Sequence, residues 1–318
     1  MQSISETQHN ATDTPILPYG LTVLPSGDLV SYRRVRRSPI KPSETRNRRG
    51  LNGISPYARK QIRSACTLLE QRYGKSQLAF FTGTIPTLDP AAMRHVCMNW
   101  SEIVRQFAQS IKRALERCGM DAEIVHVTEI QEKRYAATGL PVPHLHAVWH
   151  GRSHKFSKWT LSIPQVESAW KKAVCNVLRP EFDGVDDVDF GKATNLQAVR
   201  KSAANYLSKY CSKGSKVVKR IALTVPSNLI PTAWYGMSNR IKAEIQEKTI
   251  KTESSIGFTA LRELLKRFGI KYSFSVQLRD DEPEIALVSV VPHQLIERFM
   301  SAYLELSDRF RDLKNCLT

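Results

Sequence analysis

The stretch Leu78-Ala-Phe-Phe-Thr-Gly-Thr-Ile85 is the starting point for the fold, because a short apolar run of this kind predicts a buried β-strand. After it, Asp89-Pro90 predicts the capped start of one long helix that ends before Gly119. Upstream, Ser55-Pro56 predicts the N-cap and first turn of another helix. Apolar residues recur at helical spacing through the long helix, at Met93, Val96, Trp100, Phe107, Ile111 and Leu115.

The elements that follow continue the alternation of strands and helices. The pattern predicts strands near Ala122–Gln131 and Val142–His150, a helix near Pro164–Leu178, a short strand near Val185–Phe190 and a helix near Ala198–Lys213. The order β-α-β-β-α-β is that of ferredoxin-like (RRM-like) folds. We therefore expect an α+β protein with an antiparallel sheet and helices on one of its faces.

Composition and spacing divide the 318 residues into three parts. Residues 1–54 are predicted to be a mobile basic arm, apart from a possible hairpin around Pro25-Ser-Gly-Asp28. Residues 55–250 form the predicted main domain, and residues 251–318 a small αββα accessory unit. The elements of that unit are predicted at Thr259–Phe268, Ile270–Leu278, Glu284–Val291 and His293–Lys314.

The charge is strongly positive and unevenly distributed. The chain has 47 Lys and Arg against 30 Asp and Glu, a formal charge of +17, and Lys251–Thr318 contributes none of it. The excess is densest between Arg33 and Arg63, where Glu44 is the only acid. Arginine suits bidentate phosphate contacts, so we expect the arm to bind nucleic-acid phosphates, although a solvated tail that aids solubility is the other interpretation. The arginines assigned to this contact are Arg33, Arg34, Arg36, Arg37, Arg46, Arg48 and Arg49.

Several classes of protein are excluded on composition. No apolar run approaches the roughly 18 residues of a membrane-spanning helix, and the N-terminus lacks the layout of a signal peptide. The six cysteines are scattered and form no Cys-x-x-Cys pair, which argues against a zinc ribbon or a disulfide scaffold. We therefore expect a cytoplasmic protein with no membrane partner.

The segment Pro143-His-Leu-His-Ala-Val-Trp-His150 is the sharpest chemical signal. On a strand, His144 and His146 share one face at a separation of about 6.5 Å, whereas His150 lies too far along for the same ion. In the preceding strand, Glu129 and Gln131 alternate onto one face. If the two strands pair antiparallel, two nitrogens and one oxygen from Glu129 or Gln131 would suit Mg²⁺ or Mn²⁺ acting on phosphate. An ordinary polar strand edge is the alternative interpretation.

A helix with two tyrosines completes the pattern. In Asn205-Tyr-Leu-Ser-Lys-Tyr-Cys-Ser-Lys213, Tyr206 and Tyr210 lie four residues apart and are therefore neighbours on one helix face. Each is followed three residues later by a lysine, Tyr206 by Lys209 and Tyr210 by Lys213. Because a phenol is a weak nucleophile at neutral pH, a nearby cation would help to stabilise its phenolate. Core packing is the more common role of such a pair.

Taken in order, Phe80-Phe-Thr-Gly-Thr-Ile-Pro86, His144-Leu-His146 and the doubled Tyr-x-x-Lys motif resemble the HUH endonucleases. More narrowly, they resemble the two-tyrosine, gene A-like rolling-circle replication initiators of small plasmids and single-stranded DNA phages. The resemblance covers about residues 78–213, with a looser match at Trp234-Tyr-Gly236, and leaves out the C-terminal unit. The segment between Glu129 and His144 is longer than in relatives, which leaves the third ligand open between Glu129, which we prefer, and Gln131.

The resemblance implies a nuclease that holds Mg²⁺ or Mn²⁺ through His144, His146 and Glu129. Tyr206 would cut single-stranded or extruded origin DNA and form a 5′-phosphotyrosyl bond, and Tyr210 would act in the second cleavage. Lys209 and Lys213 would stabilise charge. A host polymerase and helicase are the implied partners.

Two alternatives remain at this point, and two more are disfavoured. A two-tyrosine transposase would use the same chemistry. A conjugative relaxase is disfavoured, because it would place its tyrosines before the histidines. A noncatalytic nucleic-acid-binding module would instead present aromatic residues on an open sheet face. A metal-free two-histidine phosphodiesterase is disfavoured, because a second His-x-Thr/Ser motif is missing from the sequence.

Overall fold

A computed structural model describes residues 19–33, 53–152, 158–190, 193–254, 256–279 and 282–316. The chain has a mixed α+β fold with two five-stranded antiparallel sheets in two compact units. The smaller unit draws on Met1–Val23, Leu29–Ile40 and Ile250–Thr318, and the larger on Leu24–Asp28 and Lys41–Thr249. Among the described helices, none is long and apolar enough to cross a membrane.

The described strands are β1 (Tyr19–Val23), β2 (Asp28–Arg33), β3 (Leu78–Thr84), β4 (Ile124–Ile130), β5 (Pro143–His150), β6 (Thr194–Ala198), β7 (Tyr235–Met237), β8 (Ile250–Ser254), β9 (Tyr272–Arg279) and β10 (Glu282–Val290). The described α-helices are α1 (Pro56–Tyr73), α2 (Pro90–Met98), α3 (Trp100–Arg117), α4 (Glu132–Thr138), α5 (Ile163–Leu178), α6 (Ala203–Ile221), α7 (Asn239–Lys248), α8 (Phe258–Arg267) and α9 (Ile296–Cys316).

The sheet of the larger unit has the strand order β6-β3-β5-β4-β7. Helices α2, α3 and α5 pack on one face, in a core that includes Phe81, Phe107 and Trp170. Helices α1, α6 and α7 pack on the other face, around Phe80 and Val148. The expectation of helices on a single face was therefore wrong, because the strands are apolar on both faces and each face needs a cover.

Gly83 shows how closely the first of these layers approaches the sheet. A Cβ atom at this position would lie 2.8 Å from Phe81 Cε1 and 2.9 Å from Trp170 Cε2. The Trp170 indole also donates a hydrogen bond from Nε1 to the carbonyl oxygen of Thr84 at 3.0 Å. Glycine is thus required here because the Trp170 ring lies against the backbone of β3.

Most local predictions for this unit are confirmed, with two corrections. Ser55 is the N-cap of α1, with Pro56 in its first turn, and Asp89 caps α2. The single long helix expected after Asp89 is instead two helices that meet at Asn99, which serves as the C-cap of α2 and the N-cap of α3.

The second correction concerns the edge strand of this sheet. The strand expected near residues 185–190 is a single 3₁₀ turn at Val185–Asp187. The edge strand is β6, nine residues further along, which pairs with β3. The Asp186 carboxylate accepts a hydrogen bond from Arg179 and its carbonyl oxygen accepts one from Lys171, so these groups pair with side chains of α5 and its C-cap rather than with a neighbouring strand.

The smaller unit contains the four expected elements α8, β9, β10 and α9, and also the N-terminal hairpin. Its sheet has the strand order β8-β1-β2-β10-β9. Leu21 and Leu29 of the hairpin share a core with Leu265 and Phe299. The hairpin expected around residues 25–28 is confirmed, and its strands β1 and β2, which lie within the predicted arm of residues 1–54, belong to this sheet. Their apolar alternation matches a core that two strands and two helices leave incomplete.

Of the arginines expected in the arm, the backbone of Arg33 ends β2. The others, Arg34, Arg36, Arg37, Arg46, Arg48 and Arg49, lie outside the described residues.

The β4–β7 pairing contains a histidine that the fold keeps neutral. A Cβ atom at Gly236 would lie 2.4 Å from His126 Nε2, so the backbone of β7 lies directly against this imidazole. Burial, with a smaller effect from the charge of Lys242, lowers the pKa of His126 from 6.5 to about 4.

This shift predicts a specific loss of stability in acid. The unfolded chain binds the His126 proton near pH 6.5 and the folded chain only near pH 4, so the free energy of unfolding falls as the pH drops through this window. We expect His126→Gln to reduce the slope of that free energy against pH by about one proton, as measured by urea denaturation. The exposed His293→Gln is the matched control, and an unchanged slope in His126→Gln would contradict the assignment.

Candidate active site

Strands β3, β5 and β4 lie side by side and bring the predicted metal ligands together. In the antiparallel pairing of β4 with β5, Glu129 lies directly opposite His144. One donor atom from each of Glu129, His144 and His146 lies within 4.8 Å of the other two. His146 Nε2 is 3.1 Å from Glu129 Oε2. Two imidazoles and one carboxylate at this spacing could hold a metal ion.

The neighbouring strand β3 fixes the orientation of both histidines. Thr82 lies opposite His146 and Thr84 opposite His144. Thr82 Oγ1 is 3.2 Å from His146 Nδ1, and Thr84 Oγ1 is 3.2 Å from His144 Nε2. Hydrogen bonds of this kind select the ring nitrogen that faces a metal and hold the ring in place.

The two candidates for the third ligand occupy different positions. The carboxylate of Glu129 belongs to the group described above, whereas the amide Nε2 of Gln131 lies 3.0 Å from His144 Nδ1. Gln131 therefore contacts the ring of one histidine, and Glu129 lies close to both donor nitrogens.

The surroundings keep His144 in the neutral form. Burial, the adjacent His146 and the charge of Arg134 lower the pKa of His144 from 6.5 to about 3. Its imidazole is therefore neutral at physiological pH, as a nitrogen ligand must be. His150 is not part of the group, as expected from its distance along β5, and its ring instead stacks on Tyr73 with 4.0 Å between centroids.

Helix α6 places both tyrosines over this group. The ring of Tyr210 stacks on His146, with 3.6 Å between centroids and 19° between planes. Tyr206 follows at 5.9 Å from Tyr210 and packs edge-on against Phe80 at 4.4 Å. The helix prediction and the i, i+4 spacing thus lead to one continuous surface of rings above the histidines.

The two phenols have different surroundings. Tyr206 is 38% exposed, and its hydroxyl accepts a hydrogen bond from Gln197 Nε2 at 3.4 Å. Tyr210 is half-buried, and burial, Tyr206 and the charge of Glu129 together raise its pKa to about 12. The Tyr210 phenol is therefore protonated at neutral pH in the absence of a cation.

The predicted lysines are only partly described. Lys209 Nζ lies 6.0 Å from the centre of the Tyr210 ring. Lys213 lies in the same helix, and its side chain falls outside the described part of the structure.

Glu70 of α1 fixes the N-terminal end of the tyrosine helix. Its Oε1 accepts hydrogen bonds from the backbone N–H groups of Ala203 and Ala204, in the first turn of α6. Ser202 Oγ accepts a third, from the N–H of Asn205 at 3.3 Å. The sequence gives the serine cap, but it carries no signal that a glutamate 133 residues earlier accepts from the same turn. The hydrogen bond from Gln197 to Tyr206 was not predicted either, because no sequence signal marks it.

We expect the acceptor oxygen at position 70 to matter for stability. Glu70→Ala would leave two N–H groups of α6 without their acceptor and lower the free energy of unfolding by about 1–2 kcal/mol. Glu70→Gln keeps an acceptor oxygen and should cost less. Urea denaturation measures both variants, with the exposed Glu247→Ala of α7 as the control, and equal losses for the two Glu70 variants would contradict this role.

Metal binding gives a second prediction for the site. We expect Mn²⁺ titration of the full chain, followed by isothermal calorimetry, to show binding that weakens by about 10-fold or more in Glu129→Ala, His144→Ala and His146→Ala. Thr82→Val should weaken binding to a smaller extent, because it removes only the orientation of His146. His293→Gln serves as the control for loss of a histidine elsewhere, and unchanged binding in the three ligand variants would refute the site.

Comparison with known proteins adds no relative to these observations. No protein-family model matches the chain, and neither a curated protein nor a solved structure matches it. Inference about function therefore starts from the residues and geometry of the site.

Proposed function

We propose that the protein is a metal-dependent DNA strand transferase of the HUH type that initiates and ends rolling-circle replication. The observation that carries the proposal is the stacking of Tyr210 on His146, with Tyr206 one helical turn away. A nucleophile pair thus lies directly over a group of two imidazoles and one carboxylate. This combination suits attack on a phosphodiester better than it suits core packing, because a purely structural pair does not need metal-ligating neighbours.

The strand order supports the finer fold assignment on which this function rests. The four strands β3, β4, β5 and β6 lie side by side in the order β6-β3-β5-β4. If they are numbered 1 to 4 along the chain, this order is 4-1-3-2. The pairings of β3 with β5 and β6 and of β4 with β5 are antiparallel, and the two longer connections, α2–α3 and α5, pack on the same face of the sheet. That order supports a ferredoxin-like sheet, extended by β7 at one edge.

The donor set fits a divalent cation such as Mn²⁺ or Mg²⁺, held by Glu129, His144 and His146. When bound, the cation would supply charge stabilisation for the phosphate oxygens. Thr82 would hold the His146 imidazole in orientation through its hydroxyl group. Both ring nitrogens of His144 have a partner, Thr84 Oγ1 at Nε2 and Gln131 Nε2 at Nδ1, so a cation held by His144 would replace one of these two contacts and the other would orient the ring.

The tyrosines would carry the covalent chemistry. The Tyr206 oxygen would form a bond to phosphorus while the bond from phosphorus to the 3′ oxygen breaks, leaving a 5′-phosphotyrosyl linkage and a free 3′-OH. The phenol proton balances the 3′ oxygen that leaves. Because the phosphodiester is exchanged rather than hydrolysed, rejoining needs no external energy source. Tyr210 would cut the regenerated origin in the same way and resolve the displaced strand.

Basic residues would support this cycle. Lys209 would stabilise negative charge near Tyr210, and Lys213 would do so one turn further along the helix. The arginines of the N-terminal arm would add salt-dependent affinity for single-stranded or extruded origin DNA. A host helicase and polymerase would unwind the duplex and extend the 3′-OH.

The noncatalytic alternative is disfavoured by the covering of the sheet. A binding module of this fold would present aromatic side chains on an open face. Here the face that bears the histidines is covered by α1, α6 and α7. A two-tyrosine transposase shares the proposed chemistry and differs only in the DNA that it recognises.

Covalent capture tests the proposal directly. We expect the full chain with Mn²⁺ to form a covalent adduct, visible on a denaturing gel, with single-stranded DNA from the replicon that encodes it. The adduct should retain a 3′ label and not a 5′ label, since the tyrosine is linked to the 5′ end of the downstream fragment. EDTA should abolish it.

Variants of the two tyrosines locate the nucleophile. Tyr206→Phe and Tyr210→Phe should each reduce adduct formation, and the double variant should reduce it by at least about 100-fold. Tyr57→Phe, at a position that is 68% exposed in α1, is the matched control. Metal-dependent adducts that persist in the double variant would exclude these tyrosines.

A further inference from the structure

A cleft of about 650 Å³ lies between α3 and α5, away from the tyrosines. Its lining comprises Ser110, Arg113, Glu116, Arg117 and Lys172. Helices α3 and α5 belong to the core on one face of the sheet, whereas α6 belongs to the core on the other. The cleft is therefore separated from the candidate active site by the sheet itself.

The three cations of this cleft differ from Arg105 and Arg179, two other arginines on or next to the same helices. Arg105 of α3 is paired with Glu102, and Arg179, at the end of α5, with Asp186. Within the described residues, by contrast, Arg113, Arg117 and Lys172 form no ion pair. All three are exposed, and Glu116 is the one acid among the lining residues.

The arrangement of these cations suits a rigid chain of phosphates. Arg113 and Arg117 are one helical turn apart, so their side chains are neighbours, and Lys172 faces them from the second helix. The lining residues include no aromatic side chain. Surfaces that bind single strands combine positive charge with rings on which the bases stack. A surface with charge alone matches a duplex, whose bases are already stacked on one another and whose phosphates face outward.

We propose that the α3–α5 cleft binds the phosphate backbone of duplex DNA through Arg113, Arg117 and Lys172. The choice of DNA rather than RNA rests on the proposed function, but the cleft does not depend on the tyrosine chemistry. It would hold duplex next to the origin on one face of the sheet while the opposite face acts on a single strand. These contacts are to phosphates, so they contribute affinity without sequence preference.

The test compares two triple variants that remove the same charge. Arg113→Gln, Arg117→Gln and Lys172→Gln neutralise the cleft. Arg105→Gln, Arg179→Gln and Arg309→Gln neutralise three arginines that already pair with acids. The probes are a fluorescent 30-base-pair DNA of random sequence and the matching single strand, titrated at several salt concentrations. Circular dichroism checks the folding of each variant, and the single variant Lys172→Gln replaces the cleft triple if that triple fails to fold.

We expect the cleft triple to weaken duplex binding at least about 10-fold and to lower the slope of log K against log salt by about 2 to 3. For Lys172→Gln alone, the expected reduction in slope is about 1. The paired triple should change duplex affinity by less than about 3-fold. Equal effects of the two triples, or a loss confined to the single strand, would overturn the proposal.

Adduct formation on short single strands should remain in the cleft variant and disappear in the double tyrosine variant. Failure of the cleft proposal and failure of the catalytic proposal are therefore separate results.

Discussion

The antiparallel register of β3, β5 and β4 is the constraint on which the candidate site depends. It places Thr84 and Glu129 on either side of His144. The residues that alternate with the histidines, Ala147 and Trp149, are buried in the core on the opposite face. A slip of one residue would move the histidines into that core and the tryptophan out of it. The free energy that favours burial of the apolar residues therefore also sets the positions of the nitrogen and oxygen atoms that could hold a metal ion.

The second requirement is that the helix bearing Tyr206 and Tyr210 lies on that surface at a fixed height and rotation. Leu207 and Cys211 of α6 are buried in the same core as Phe80, and they determine which side of the helix faces the sheet. The hydrogen bonds from its first turn to Glu70 fix its position along the axis. With the helix held in this way, the ring of Tyr206 contacts Phe80 and the ring of Tyr210 stacks on His146. Neither tyrosine position follows from helix propensity, because both depend on contacts with distant segments.

How much of this could be predicted from sequence depends on the range of the interactions. Local patterns were sufficient for the Ser55 cap, the alternation of His144 with His146, and the spacing of the tyrosines. They failed at Asn99, where the apolar spacing continues across a break between two helices. They also did not predict the short helix α4 between β4 and β5, which ends at Gly139 in the left-handed conformation.

Longer-range features were beyond local patterns altogether. The hairpin of β1 and β2 joins strands more than 200 residues away, and its alternation alone could not identify those partners. Glu70 and Gln197 likewise belong to no sequence motif that would mark them as contacts of α6. Their contacts with α6 exist only because the fold brings α1 and β6 beside that helix.

The asymmetry between the two tyrosines follows from the same geometry. Tyr210 lies on His146 and close to the carboxylate of Glu129, and this charge helps to raise its pKa. A cation held by Glu129 would offset that charge and so favour the ionised phenol, which couples the reactivity of Tyr210 to metal binding. Tyr206 lies further out, over Phe80, where the Gln197 amide donates to its hydroxyl. Two identical side chains one helical turn apart thus depend on different neighbours, and in the proposed two-cut reaction those neighbours would provide a physical basis for distinct roles.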